Sequence, residues 1–200
     1  MAIVLDGSSA AGSINLGTNG TVSNLAVGGL PDGTVDSDTL ATSVPLGITE
    51  IDQWSVTSDV TSNTDPVTNW ARQNNTSLPS NAQKGTGMSH SSGVFTFPST
   101  GYWLVMWSGG VHMGSADGGV GFNLKTTVDN GSNWQVVSNI DDGSAGAHHG
   151  HITDQTYLDI TDVSNHKVAF SLGSVGGSSK LKGSTSQLMS NATFIRLGGT

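Results

Sequence analysis

Cysteine is absent from this 200-residue sequence, glutamate occurs once (Glu50), and no Phe, Tyr or Trp precedes Trp54. Without cysteine there is no disulfide scaffold and no thiolate metal site, although that absence assigns the chain to no compartment. A single glutamate leaves no Glu/Glu pair and no zinc-protease helix. A Gly-x-Ser-x-Gly elbow and a Gly-Lys dipeptide for a phosphate loop are missing as well. Bases are scarce: seven Lys and Arg face fifteen acids, and the formal charge of −8 repels nucleic acid. No apolar run approaches the ~20 residues of a membrane span. The start, Met1 to Asp6, has neither the charged nor the apolar part of a signal peptide. The expectation is a soluble chain made in a cytoplasm, with no nucleic-acid partner, no membrane insertion and no enzymatic activity.

What is abundant is turn-forming and β-branched chemistry. Gly (28), Ser (28), Thr (22) and Asn (14) make up 92 residues, which points to an all-β chain with many turns. The most informative stretch runs from Ser92 to Trp107, where Val94-Phe95-Thr96-Phe97 and Tyr102-Trp103-Leu104-Val105-Met106-Trp107 are hinged by Pro98-Ser99-Thr100-Gly101. In the second run Trp103, Val105 and Trp107 fall on one face and Tyr102, Leu104 and Met106 on the other. Apolar side chains on both faces require both faces to be covered.

Further strands are expected at Ile51 to Val56, at Phe122-x-Leu124-x-Thr126-x-Val128, and after the turn Asp129-Asn130-Gly131 at Trp134, Val136 and Val137. Tyr157 to Ile160, Lys167 to Leu172 with one wet face, and Asn191 to Leu197 complete about eight strands, a jelly-roll number. Long loops are expected at 108–119, 138–153 and 173–190. The first quarter differs physically: its small apolar islands between turns carry too little bulk to offset ~1–2 kcal/mol of backbone entropy per residue. Residues 1–48 therefore read as an anchoring segment ordered by a partner, and 49–200 as a jelly-roll β-sandwich head.

The strands from Gly93 to Val105, Tyr157 to Leu172 and Thr193 to Leu197 resemble the trimeric jelly roll shared by tumour necrosis factor and the globular head of complement. With Ile51-Asp52-Gln53-Trp54, Asn69-Trp70 and the turn-rich Pro31 to Ala41, the whole chain is similar to small virion structural proteins of marine tailed bacteriophages. The resemblance implies a homotrimer with Tyr102, Trp103, Leu104, Val105, Met106 and Trp107 supplying the packing at its interface, one face or the other toward the axis. It also implies a place on the virion, with residues 1–48 held by other virion proteins. The head then serves as a fibre-like or spike-like tip contacting a host surface glycan, or as a capsid decoration protein stabilising the shell.

Polar chemistry is sparse. Ala147-His148-His149-Gly150-His151 gathers three of six histidines, and His149 and His151 share a face of an extended chain. Brought to a threefold axis, that pair would offer six imidazoles to an axial metal ion. Asp141 and Asp142 are an alternative calcium pair. Trp134, Tyr157 and His148 are candidate ligand contacts, since aromatic faces stack on sugars. Ser179-x-x-Lys182 fits a catalytic dyad only in form. Asp117, Asp129 and Asp159 are the carboxylates a polysaccharide-trimming enzyme would have to use.

Overall fold

A computed structural model describes residues 47–72 and 83–200. The expected anchor, all but its last two residues, lies outside the described residues. Every regular element among the described residues is a strand: β1 (Ile51–Val56), β2 (Trp70–Ala71), β3 (Gln83–Lys84), β4 (Ser89–Ser91), β5 (Val94–Thr96), β6 (Gly101–Met113), β7 (Asp117–Thr127), β8 (Gln135–Ser144), β9 (His148–Ile160), β10 (Lys167–Gly173), β11 (Lys180–Leu181) and β12 (Ser190–Gly198). The eight longest or best-patterned of these are the eight expected. The additions β2, β3, β4 and β11 are two or three residues long, too short for any periodicity to reveal.

Two antiparallel sheets form the sandwich. In the first, β6 is flanked by β9 on one edge and by β12 on the other, β1 follows β12, and β2 and β3 both pair with β1. In the second the order is β4-β5-β10-β7-β8. The strands are thus connected across the layers, and the Pro98 to Gly101 corner carries the chain from the second sheet into the first. Gly101 is required there: its φ is +133°, and a Cβ would stand 2.2 Å from the Gly198 carbonyl oxygen. The Trp103 indole N–H donates to the Ser99 carbonyl at 3.1 Å and fixes the corner against the strand.

Between the sheets lies an aromatic core. Phe170, at the middle of the central strand β10, meets the rings of Trp70, Phe95, Trp107, Phe122 and Phe194, with centroids 5.1–6.5 Å apart. Trp103, Val105, Val111 and Met113 point inward from β6, as Ile152 and Ile160 do from β9. One carboxylate is enclosed with them: Asp52 accepts from the Trp54 indole, from Nε and a terminal nitrogen of Arg72, and from the Met88 amide at 2.6–2.9 Å. The Arg72 guanidinium also lies 4.3 Å from the Trp54 ring centroid.

Three expectations are corrected. The segments 108–113, 138–144 and 148–153 are strand rather than loop, because β6 and β9 pair along thirteen residues each and β8 pairs with β7 through Ser144. Val128, expected as the last position of the Phe122 strand, lies beyond it and is 71% exposed, since β7 ends at Thr127 and the turn begins. The second face of β10 is not wet: Ala169, paired with Val94 on β5 and Lys125 on β7, and Ser171, paired with Asn123 on β7, are both buried.

Candidate interaction face

The strict alternation of β6 divides its apolar residues between two fates. Trp103, Val105 and Trp107 are enclosed by the sandwich of a single chain and present no surface to a neighbouring copy. Tyr102, Leu104 and Met106 stand on the outer face of the first sheet, where Tyr102 remains 43% exposed. Of the two faces weighed from sequence, only the second is open to an interface.

Register builds that face across four strands. Leu104 is paired with Ile195 on β12 and with Tyr157 on β9, and Ile195 with Ile51 on β1, so Ile51, Ile195, Leu104 and Tyr157 form one transverse apolar row. The adjacent row is Gln53, Thr193, Met106 and Gln155, and the next Ser55, Asn191, Ser108 and Thr153. Gln53 donates to the Thr193 hydroxyl and Asn191 to that of Ser108, so these polar rows satisfy part of their own hydrogen bonding. Tyr157 is 73% exposed at the β9 edge, a large cost in unburied ring for an isolated domain.

Histidines close the far end of this face. His149 and His151 share it, as expected, and His112 on β6 stands directly opposite His149 with ring centroids 4.5 Å apart. The sequence reading missed His112 because its partner in space is 37 residues away, a relation only register reveals. Its Nδ1 is buried without a hydrogen-bond partner among the described residues. Desolvation, reinforced by the neighbouring charges of His149, Lys180 and Lys182 and opposed by Asp59, holds the His112 imidazole below its ordinary pKa. His112 therefore stays neutral at neutral pH. Within one chain, no three His, Cys, Asp or Glu side chains among the described residues converge into a metal-holding group. An axial ion would need imidazoles from other copies.

The three ligand-contact candidates are not brought together. Tyr157 belongs to the first sheet's outer face. Trp134 lies over the outer face of the second, near the Lys125 ammonium at 5.7 Å and beside Asp65, Pro66 and Val94. His148 sits at the end of the sandwich, 3.3 Å from the Asp142 carboxylate. The carboxylates considered for hydrolysis are likewise dispersed: Asp117 and Asp129 flank opposite ends of β7, and Asp159 pairs with Tyr102 on the other sheet. Ser179 is buried, whereas the Lys182 ammonium is directed to Asp59 at 3.6 Å.

No protein-family model matches the sequence, and no curated protein matches it. Solved structures do match the fold. The Eiger tumour necrosis factor of S. frugiperda superposes with a TM-score of 0.56 at 13% identity, covering 78% of this chain and 96% of that one. Murine APRIL, in its crystal structure at pH 5.0, gives 0.53 at 10% identity, covering 74% and 98%. The head is therefore a jelly roll of the tumour-necrosis-factor type.

Proposed function

We propose that this chain is a homotrimeric structural protein of a bacteriophage particle, whose jelly-roll heads associate through the outer face of the first sheet. The observation that carries the reading is the row Ile51, Ile195, Leu104 and Tyr157, apolar across four adjacent strands, which among the described residues leaves Ile51, Ile195 and Leu104 half-buried and Tyr157 73% exposed. A monomer gains nothing from such a row, whereas closed association around an axis removes it from water at ~25 cal/mol per Å². The resemblance of the strands to the trimeric jelly roll supports three copies. The turn-rich leader and the similarity to virion proteins of tailed phages support display on a particle, with residues 1–48 bound to other virion components. The head is a binding and packing module, with the host surface glycan as the ligand class for a fibre-like tip. The decoration role differs in copy number, several hundred per particle rather than dozens.

The test is mass in solution by light scattering of the full chain, with Leu104→Glu as the probe. Three subunit masses are expected for the wild type and one for the variant, with an unchanged far-ultraviolet spectrum in both. A wild-type monomer at high concentration overturns the reading. Immunogold or whole-particle imaging then decides between tail and shell.

A further inference from the structure

We infer that the outer face of the second sheet, opposite to the interface just proposed, holds a binding site for a hard divalent cation, calcium, built by Asn123, Asn139, Asp141 and the Gly173 carbonyl. The site begins with glycines. Gly121 on β7 pairs with Gly173 on β10 and with Asp141 on β8, and Asn123 pairs with Asn139, so side chains are missing from the floor and oxygen-bearing ones rise beside it. The result is a hollow of about 400 Å³ also lined by Asp117, Gly119 and Ser174.

Its chemistry is one-sided. At the position a Gly121 Cβ would occupy, three oxygens converge: Asn139 Oδ1 at 3.2 Å, Asn123 Oδ1 at 3.7 Å and the Gly173 carbonyl at 3.8 Å. Asp141 Oδ2 lies 3.5 Å from the corresponding point above Gly119. Asn123 Oδ1 is a buried acceptor with no hydrogen-bond partner among the described residues, a state that costs free energy unless something at the floor of the hollow satisfies it. Among the described residues no lysine, arginine or aromatic ring lines the hollow, so neither an anion nor a stacked sugar fits it as well as a cation does. Carboxylate, amide and main-chain oxygens with water completing the shell are a calcium donor set. Asp117 is committed elsewhere, accepting from the Gly119 and Gly176 amides. With a single uncommitted carboxylate, the affinity belongs to the weak class, Kd on the order of 10⁻⁴–10⁻³ M.

The neighbouring Asp142 plays no part. Successive residues of a strand face opposite ways, so Asp142 turns to His148 while Asp141 turns to the hollow. The adjacent pair read from the sequence is thus split, and its missing ligands come from three other strand positions.

Calorimetric titration of the full chain with calcium chloride at constant ionic strength tests the site. One ion per chain is expected, with magnesium weaker. Asp141→Asn should weaken calcium by at least about tenfold. Gly121→Ala, whose methyl occupies the point between the Asn139, Asn123 and Gly173 oxygens without a backbone clash, should abolish saturable binding. Asp142→Asn should leave it unchanged, and all three variants should keep the wild-type urea midpoint in the absence of calcium. No saturable heat, or binding that survives both Asp141→Asn and Gly121→Ala, or loss confined to Asp142→Asn, overturns the inference.

Discussion

Replacing Asp52 is the sharpest probe of how this sandwich is held together at its β1 edge. The carboxylate is wholly buried and receives four donors, one on Oδ1 (Arg72 Nε, 2.8 Å) and three on Oδ2 (Trp54 Nε1, the Arg72 terminal nitrogen and the Met88 amide, 2.6–2.9 Å). In Asp52→Asn the amide nitrogen takes the Oδ1 place, because at Oδ2 it would confront three donors instead of one. The variant then loses the charge and one charge-assisted bond, worth about 1.5–3 kcal/mol. Asp52→Ala removes all four bonds and leaves the Trp54 indole and the Met88 amide without their partner, so about 3–5 kcal/mol is expected. Part of the Arg72 side chain stays in water, 35% exposed, which puts the value toward the lower end. Urea unfolding followed by tryptophan fluorescence, at fixed protein concentration because the proposed assembly would add mass action, reads both losses. The double change Asp52→Leu with Arg72→Met should recover part of the Ala deficit, since it removes the two Arg72 donors together with the acceptor and leaves only the Trp54 indole and the Met88 amide unpaired. A loss under about 1 kcal/mol for Asp52→Ala would refute the assignment of this carboxylate as the organiser of that edge.

Two further outcomes follow from packing and charge. Phe170→Ala empties the point where five aromatic rings meet and should lower unfolding free energy by about 3–5 kcal/mol with the far-ultraviolet spectrum retained. In acid, Asp129 and Asp162 are the groups to watch. The Thr127 hydroxyl with the side chain and amide of Asn133 lowers Asp129 from 3.8 to about 2, and Ser164 with Asn165 does the same for Asp162. Because the folded value lies below the unfolded one, their contribution is complete above pH 3.8 and disappears as pH falls toward 2. Urea midpoints measured from pH 6 downward should drop through that window in the wild type and drop less steeply in Asp129→Asn and Asp162→Asn.

The β-class, the eight principal strands, the Pro98 to Gly101 corner and the Asp129 to Gly131 turn were legible in the sequence, since each is a local matter of alternation or turn chemistry. The inward half of β6 was not assignable, because Trp103 and Leu104 are equally apolar and only packing against the second sheet decides which is enclosed. The histidine segment read as loop because Gly, Ser and Ala dominate its flanks. Pairing with β6 across thirteen residues overrides that weak local preference.

Composition and periodicity by themselves determined a cysteine-free, acidic, all-β head with one strand too apolar for a solitary sheet face. These are properties of neighbours along the chain, and a period of two registers them directly. Tertiary structure alone decided the row Ile51, Ile195, Leu104 and Tyr157, the enclosure of Asp52 by Arg72, the His112–His149 pair and the oxygen-lined hollow above Gly121. Each joins residues from strands far apart in sequence, and their juxtaposition is set by inter-strand register, which one-residue slips would reverse and which no local pattern encodes.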